Sequence, residues 1–342
     1  MIDHVHSLDM DFGLWVEPEM VNPDSDLYRA HPDWVMSFPG RQRTQQRNQL
    51  VLNLAREDVK NYVFNTLDHL VSTNDIAFLK WDYNRNWSEP GWDGAADPQS
   101  IYFRYIKNLY DVLARLRARH PKLEIEDCSG GGGRVDLGIL RYTDDVWPSD
   151  NTDALDRLNI QYGFTQGYAP RVMSAWVTDV PNFLDKRIIP LQFRFLVAMQ
   201  GALGIGGDLN RWSGEELEQA KKLVAFYKQV RPLVQEGELY RLSDPRQNGP
   251  SQTEYVSSDR SRAVVFAYLP SQHLGFQYPT VRLEGLDLHG LYRVTSLTPE
   301  AYSGEPLVTG SLLMQVGIPL RLAGDYASTA LTLEREIDKH NP

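Results

Sequence analysis

The sequence predicts an α/β protein: a (β/α)8 barrel of the TIM type that lacks its first strand, followed by an antiparallel β-sandwich domain. Through residues 1–240, short apolar segments alternate with longer amphipathic ones, which is the pattern of parallel strands joined by crossover helices. Across residues 241–342 the segments are strand-like, with no helical pattern between them. We therefore expect a barrel domain at 1–240 and a β domain at 241–342.

Seven segments of the first part have the pattern of buried strands that end in polar or glycine residues. They are Phe12–Val16, Gln49–Leu54, Ile76–Asp82, Leu123–Cys128, Val146–Asp150, Val172–Val177 and Leu203–Leu209. Three segments carry apolar residues at helical spacing, and Ser213 with Glu216 forms a capping box at the start of the third. These helices are expected at 56–72, 101–120 and 213–228. Seven strands fit an eight-stranded barrel with one strand absent.

In the second part, Gly and Pro punctuate five strand-like segments. They are Ala263–Tyr268, Thr280–Leu283, Tyr292–Ser296, Gly317–Leu322 and Ala330–Leu333. A module of this size without helices predicts an antiparallel β domain.

Composition favours a globular protein with a large core and disfavours two classes of partner. The chain has 342 residues, 42% hydrophobic and 23% charged, with a formal net charge of −10. A negative surface repels nucleic-acid phosphates and anionic membranes, and no apolar run reaches the roughly 18 residues of a transmembrane helix. We expect neither nucleic acid nor a membrane as a partner.

The cytoplasm is the predicted compartment. Cys128 is the only cysteine, which excludes an internal disulfide and fits a reducing environment. The first residues lack the basic region and the apolar stretch of a signal peptide.

Asp82 is the first candidate catalytic residue, at the end of an apolar run. Strand alternation places Lys80 and Asp82 on the same side, so an ammonium group would help to keep this carboxylate ionised. An ionised, fixed carboxylate is a competent nucleophile, and the Asn84 amide could hold it or a substrate hydroxyl. The alternative is a structural ion pair at the rim of the barrel.

Asp150 is the second candidate, 68 residues further along the chain and again after an apolar run. Because the carboxyl ends of parallel strands share one face of a barrel, the two acids could act on a bond between them. Trp147 and the acids Asp144, Asp145 and Asp153 would raise the proton affinity of such a carboxyl group, as a general acid requires. The alternative is that Ser149 or Asp150 caps a helix.

Three other patterns are weaker. The run Gly130–Gly133 lacks the Lys-Ser/Thr ending of a phosphate-binding loop. We expect its backbone amides to approach a ligand hydroxyl, with Arg134 and Asp136 anchoring the loop. A plain flexible loop is the alternative. His4 and His6 have no third ligand at a supportive spacing, so no metal site is expected. A serine-nucleophile elbow is absent from the sequence.

Five motifs occur in the order seen in glycoside hydrolase family 36, the microbial α-galactosidases, which the chain resembles over essentially its whole length, including Trp176–Asn182. The motifs are Phe12–Val21, Arg47–Leu52, Lys80–Asn84, Cys128–Arg134 and Ser149–Asp153. The resemblance implies a retaining α-galactosidase that acts on oligosaccharides of the melibiose and raffinose type and needs no cofactor. It also implies a homo-oligomer for the full-length form.

The same resemblance assigns roles to residues of this chain. It implies that Asp82 is the nucleophile that forms a galactosyl-enzyme and that Asp150 is the acid/base. The other implied roles concern the sugar: Trp15 lies near galactose, Arg47 and Lys80 bind its hydroxyls, and Cys128 with the backbone of Gly131 crowds its 2-position. Retaining enzymes have their two carboxyl groups about 5–5.5 Å apart.

The sequence departs from the family at its start. Family members carry an N-terminal β domain and a first barrel strand that ends in Asp-Asp-Gly-Trp, whose acids bind the galactose 4- and 6-hydroxyls, and neither is expected here. We therefore expect a fragment with the catalytic pair but without the sugar clamp, and impaired activity. Two alternatives are open: a non-catalytic galactoside-binding or assembly fragment, and a galactosyl transferase of the same family.

Overall fold

The computed structural model describes residues 1–247, 249–275 and 277–336. The chain forms two compact units, Met1–Asp150 and Asn151–Pro342. The domain boundary near residue 240 stays a prediction. No helix among the described residues is long and apolar enough to cross a bilayer.

The first unit contains a parallel sheet flanked by helices. Its strands are β1 (Gly13–Val16), β2 (Met20–Val21), β3 (Leu50–Val51), β4 (Phe78–Trp81), β5 (Glu124–Asp127) and β6 (Asp145–Val146). Its helices are α1 (Ile2–His6), α2 (Asp26–Ala30), α3 (Glu57–Thr73) and α4 (Ile101–Arg119). The sheet order is β1-β4-β5-β6, and all three pairings are parallel. The predicted crossover helices α3 and α4 are confirmed, and both bury their apolar faces in the core of this unit.

The predicted barrel strand Gln49–Leu54 is wrong. Only β3 forms, and it pairs antiparallel with β2. Arg47 and Asn48 have φ angles of 55° and 57°, and the amide of Gln49 bonds back to the carbonyl of Gln46, so the chain turns just before β3. The apolar residues after that turn are buried as core contacts and do not join the parallel ladder.

The second unit combines helices with both kinds of strand pairing. Its helices are α5 (Ala154–Phe164), α6 (Leu191–Ala198), α7 (Gly214–Glu236) and α8 (Gly310–Gln315). Its strands are β7 (Ser174–Val177), β8 (Ala202–Ile205), β9 (Glu238–Arg241), β10 (Ser251–Val256), β11 (Arg262–Leu269), β12 (Thr280–Val281), β13 (Leu291–Ser296), β14 (Leu307–Thr309), β15 (Ile318–Pro319) and β16 (Ala327–Arg335). The predicted capping box of α7 is confirmed.

The parallel pair β7-β8 raises the number of strands with parallel pairing to six among the residues described here, so the predicted count of seven is wrong. Closure of these strands into one barrel stays a prediction.

The predicted antiparallel sheet is confirmed, with strands that the pattern missed. Six strands pair in the order β14-β13-β16-β11-β10-β9, and β12-β15 forms a separate ribbon. Alternate residues of β11 divide between two apolar clusters: Val264 and Phe266 pack with residues of α6 and α7, and Val265 and Ala267 pack with residues of the ribbon. The short helix α8 lies in a region where no helix was expected.

Candidate active site

Asp82 lies immediately after β4 and is 6% exposed. Its Oδ2 accepts hydrogen bonds from the Trp15 indole at 3.1 Å and from the Asn84 amide at 2.6 Å, and its Oδ1 accepts from the Tyr83 backbone N–H at 2.8 Å. Every partner is a neutral donor, so the carboxylate is fixed while keeping its charge.

Burial alone would raise the pKa of Asp82, but the hydrogen bonds from Asn84, Cys128, Trp15 and the Tyr83 amide outweigh burial and leave the pKa below its ordinary value. Asp82 is therefore ionised at neutral pH.

Asn84 connects Asp82 to a residue that the sequence interpretation missed. Its Nδ2 donates to Asp82 and, at 2.9 Å, to Oε1 of Glu17, which also accepts from the backbone N–H of Asn84 at 3.1 Å. Gln49 donates to the other oxygen of Glu17. This arrangement fixes the orientation of the Asn84 amide, which is why its donor faces the nucleophile.

Lys80 forms a salt bridge with Glu126 of the next strand, and its ammonium lies 4.7 Å from the centroid of the Trp147 ring. From the sequence we expect the Lys80 ammonium to help keep Asp82 ionised. The structure instead assigns the largest favourable contributions to hydrogen-bond donors.

Asp150 follows β6 and is exposed. The indole N–H of Trp147 donates to its Oδ1 at 3.0 Å. The helix-cap alternative is wrong, because the N-cap of α5 is Asp153, whose carboxylate accepts from the amides of Leu155 and Asp156.

Two of the three acids expected to influence Asp150 are engaged in ion pairs. Asp144 binds Arg117, and Asp153 binds Arg187. The third, Asp145, is partly buried, and this desolvation together with the negative charge of Glu126 raises its own pKa to about 8.

The glycine loop lies between the segments that carry the two acids. A Cβ atom at Gly131 would be 3.0 Å from Cα of Ser149 and 3.1 Å from N of Asp150, and a Cβ at Gly130 would be 3.8 Å from Oδ1 of Asn84. Hydrogen bonds close the loop on itself, since the Ser129 amide donates to the Gly131 carbonyl at 2.8 Å. The loop is thus a packed spacer, which the flexible-loop alternative did not predict.

Arg134 anchors this loop to a buried polar cluster, as predicted. It donates to Glu19 at 2.7 Å and to Asp127 at 2.9 Å. Glu19 is fully buried and also accepts from the Trp81 indole and the Tyr105 hydroxyl. Burial raises the pKa of Asp127 to about 6, although Arg134 opposes that shift.

The remaining predicted residues surround the same strand ends. Trp15 is 48% exposed beside Asp82, and Cys128 follows β5 with a buried thiol whose pKa burial raises to about 12. Arg47 is exposed and lines a cavity of about 570 Å³ together with Asn84 and Gly130.

One acidic group elsewhere has the spacing of a cation site. It consists of Asp153, Asp156 and Asp185 in the second unit, and the Arg187 guanidinium pairs with all three. An internal cation therefore already balances this cluster.

Asp82 and Asp150 both follow strands of the parallel sheet, and the glycine loop lies close to the segment of each acid. Glycosidases use pairs of carboxylates, and (β/α) barrels carry their sites at the carboxyl ends of the strands. A sequence model described as Melibiase matches residues 1–237, and one described as the glycosyl hydrolase family 36 C-terminal domain matches residues 250–333. The chain belongs to glycosyl hydrolase family 36.

Relatives in this family are named α-galactosidases. The chain is 41% identical to α-galactosidase AgaA of Geobacillus stearothermophilus, over 95% of this chain and 44% of the relative. It is 39% identical to α-galactosidase C of Emericella nidulans, over 95% of this chain and 41% of the relative. A crystal structure of an AgaA variant in complex with raffinose superposes with a TM-score of 0.93 at 38% identity, covering 98% of this chain and 46% of that one. The chain thus spans less than half the length of these relatives.

Proposed function

We propose that this chain carries the catalytic carboxylates of a retaining α-galactosidase that hydrolyses terminal α-D-galactosyl residues of oligosaccharides. The observation that carries the proposal is the environment of Asp82: a buried, ionised carboxylate fixed by three neutral donors, with the glycine loop linking its segment to that of Asp150. The relatives named above and the raffinose bound to AgaA support the substrate class.

The chemistry proceeds by two displacements at the anomeric carbon. Asp82 attacks this carbon while Asp150 gives its proton to the glycosidic oxygen, so the bond to the leaving group breaks and a β-galactosyl ester forms. Asp150 then takes a proton from water, the oxygen of that water attacks the same carbon, and Asp82 leaves as a carboxylate. Two inversions give net retention.

The other predicted residues bind the sugar in this proposal. Lys80 and Arg47 bind hydroxyl groups, and the Trp15 indole holds the nucleophile while its half-exposed ring faces the galactose. Cys128 and the backbone of Gly131 leave no room for a bulky group on the 2-position.

Covalent trapping tests the nucleophile directly. In a 2-deoxy-2-fluoro-galactosyl fluoride, the attacking carboxylate displaces the anomeric fluoride, which leaves as fluoride ion. The resulting galactosyl ester keeps the 2-fluoro group and hydrolyses slowly. We expect mass spectrometry of the wild-type chain to place one sugar on Asp82, and Asp82→Asn to remain unlabelled. Asp93→Asn, an exposed acid in the loop after the same strand, is the matched control and should label like the wild type.

Turnover of an aryl α-galactoside tests both acids. Asp82→Asn should lower kcat by at least about 10³-fold, and Asp150→Asn by about 10²- to 10⁴-fold, with a smaller loss for activated leaving groups, which need less protonation. Galactose binding without labelling or turnover in the wild type would contradict the proposal and favour a non-catalytic binding module. Release of the β-anomer as the first product, seen by NMR, would contradict retention.

A further inference from the structure

A row of four side chains crosses the parallel sheet one layer below the nucleophile. Register pairs Trp15 with Lys80, Lys80 with Glu126, and Glu126 with Asp145. Paired residues of parallel strands project to the same face, and Asp82 is two residues beyond Lys80, on that face again. The row therefore supports the layer that contains Asp82 and Cys128.

The charged side chains of Lys80 and Glu126 are largely shielded from solvent. The side chains of Lys80 and Glu126 are 15% and 3% exposed, and they form a salt bridge. Removing two charges from water costs several kcal/mol per ion, so a pair in such a place persists only with close mutual contact. Glu126 takes no part in the reaction proposed above, so its salt bridge with Lys80 requires a different explanation.

Asp145 is a weaker counterion for Lys80 than Glu126, although the Lys80 charge opposes the rise in its pKa. Its Oδ1 is buried without a hydrogen-bond partner among the described residues, and its pKa, raised to about 8 by burial and then by Glu126, leaves it protonated at neutral pH. One ammonium and one carboxylate then balance, whereas ionisation of both acids would leave a net buried negative charge.

Lys80 also touches the residue that contacts the acid/base. Its ammonium lies over the Trp147 ring, at 4.7 Å from the centroid, and the same indole donates to Asp150 at 3.0 Å. A cation over an indole face is held electrostatically, so displacement of the ammonium would disturb the indole as well.

We propose that Glu126 is a positioning residue that fixes the Lys80 ammonium between the sugar-binding layer and the Trp147 indole. It acts on the reaction only through Lys80 and Trp147, and touches neither substrate nor reacting atoms. The inference rests on the proposed function and adds to it a residue on the strand between those of the two acids.

The test is a double-substitution cycle with kcat and KM measured for p-nitrophenyl α-galactoside. Glu126→Gln should lower kcat/KM by about 10- to 100-fold, the cost of a catalytic group misplaced by about an ångström. In the Lys80→Met background the same substitution should add almost nothing, because its effect passes through Lys80. Losses that multiply in the double variant, or wild-type kinetics for Glu126→Gln, would overturn the proposal.

Three further variants separate positioning from folding. Glu124→Gln removes an exposed carboxylate from the same strand and should leave the kinetics unchanged. Glu126→Asp keeps the charge but withdraws it by one methylene, so it should fold as the wild type, judged by Tm, and show an intermediate loss. Asp145→Asn resembles the protonated acid and should lose less activity than Glu126→Gln; an equal loss would contradict Glu126 as the main positioning partner of Lys80.

Asp82→Asn, measured in the same assay, distinguishes the two hypotheses. Wild-type turnover in Asp82→Asn would refute the proposed function. Loss of turnover in Asp82→Asn, together with wild-type kinetics in Glu126→Gln, would refute only the positioning role.

Discussion

The four-stranded parallel sheet and the six-stranded antiparallel sheet bury very different side chains. In the antiparallel sheet, residues 263–269 of β11 are all buried and all apolar or aromatic. In the parallel sheet, by contrast, Glu126 and Asp127 of β5 are buried, and so is Asp82, just after the neighbouring strand β4. Apolar burial stabilises a fold by about 25 cal/mol per Å², whereas a buried charge destabilises it unless it is paired.

This difference indicates that the parallel strand ends contribute less to the stability of the fold and more to the proposed site. These three acids each have a specific partner: Lys80 for Glu126, Arg134 for Asp127, and the Trp15 and Asn84 donors for Asp82. We therefore expect substitutions in the antiparallel sheet to change stability without changing the site, and substitutions at the parallel strand ends to do the reverse.

The largest expected effect on stability comes from Phe266→Ala. Phe266 is fully buried and packs edge-to-face on Tyr255, with 6.0 Å between the ring centroids. Removing a buried aromatic ring costs about 3–5 kcal/mol, because apolar contact is lost and a cavity is left. Chemical denaturation measures the loss, and calorimetry with galactose should show unchanged affinity in the folded protein.

Leu274→Ala is the matched control for Phe266→Ala, because Leu274 is fully exposed and its truncation should stay within about 0.5 kcal/mol of the wild type. A weakened galactose affinity in folded Phe266→Ala would contradict the expectation that substitutions in the antiparallel sheet leave the site unchanged.

Glu254 is the exception within the antiparallel sheet and gives the next largest effect. It is fully buried in β10, its Oε2 accepts the Glu284 amide at 2.7 Å, and its Oε1 has no partner among the described residues. Burial raises its pKa from 4.5 to about 8. Between pH 4.5 and about 8, the folded state holds a proton on Glu254 that the unfolded state has released. The free energy of unfolding therefore falls as the pH rises through this range, and the loss of stability is complete above about pH 8.

Glu254→Gln removes this deficit while keeping the shape of the protonated acid. We expect equal stability near pH 4.5 and a gain of about 2–4 kcal/mol at pH 9, measured by denaturant unfolding at both pH values. Glu334→Gln, on the exposed side of β16, should change stability by less than about 0.5 kcal/mol at either pH. A variant that loses stability at pH 9 would show that the carboxylate is paired in the folded state.

The acids and the glycine loop were predictable because strand ends are local signals. Apolar runs that stop at Asp82 or shortly before Asp150 show where side chains leave the core, and a run of four glycines marks a close backbone approach. The helices α3, α4 and α7 followed from apolar spacing and a capping box in the same way.

The wrong strand prediction and the overlooked residues depend on contacts between parts of the chain that are far apart in sequence. Whether 49–54 joins a parallel sheet depends on the turn made by Arg47 and Asn48 and on the pairing of β3 with β2, and an apolar run does not encode its partner. Glu17 binds Asn84 and Glu126 binds Lys80, which lie 67 and 46 positions away in the chain. Strand alternation places Glu126 on the face of Cys128, which was the one sequence signal for its role.

The smallest stability effect, and the most specific effect on the site, is expected from Gly131→Ala. Gly131 has a φ of 87°, where a side chain costs about 1–2 kcal/mol, and its new methyl group would press on the backbone of Ser149 and Asp150 at 3.0–3.1 Å. Gly94→Ala isolates the backbone cost, since Gly94 has a φ of 74° with open space around it. Gly131→Ala should lose more stability than Gly94→Ala because of that contact, and only Gly131→Ala should displace Asp150. If Asp150 is the proposed acid/base, kcat of Gly131→Ala should fall more for alkyl than for activated aryl galactosides. Equal kinetics in the two variants would mean that the glycine loop does not set the position of Asp150.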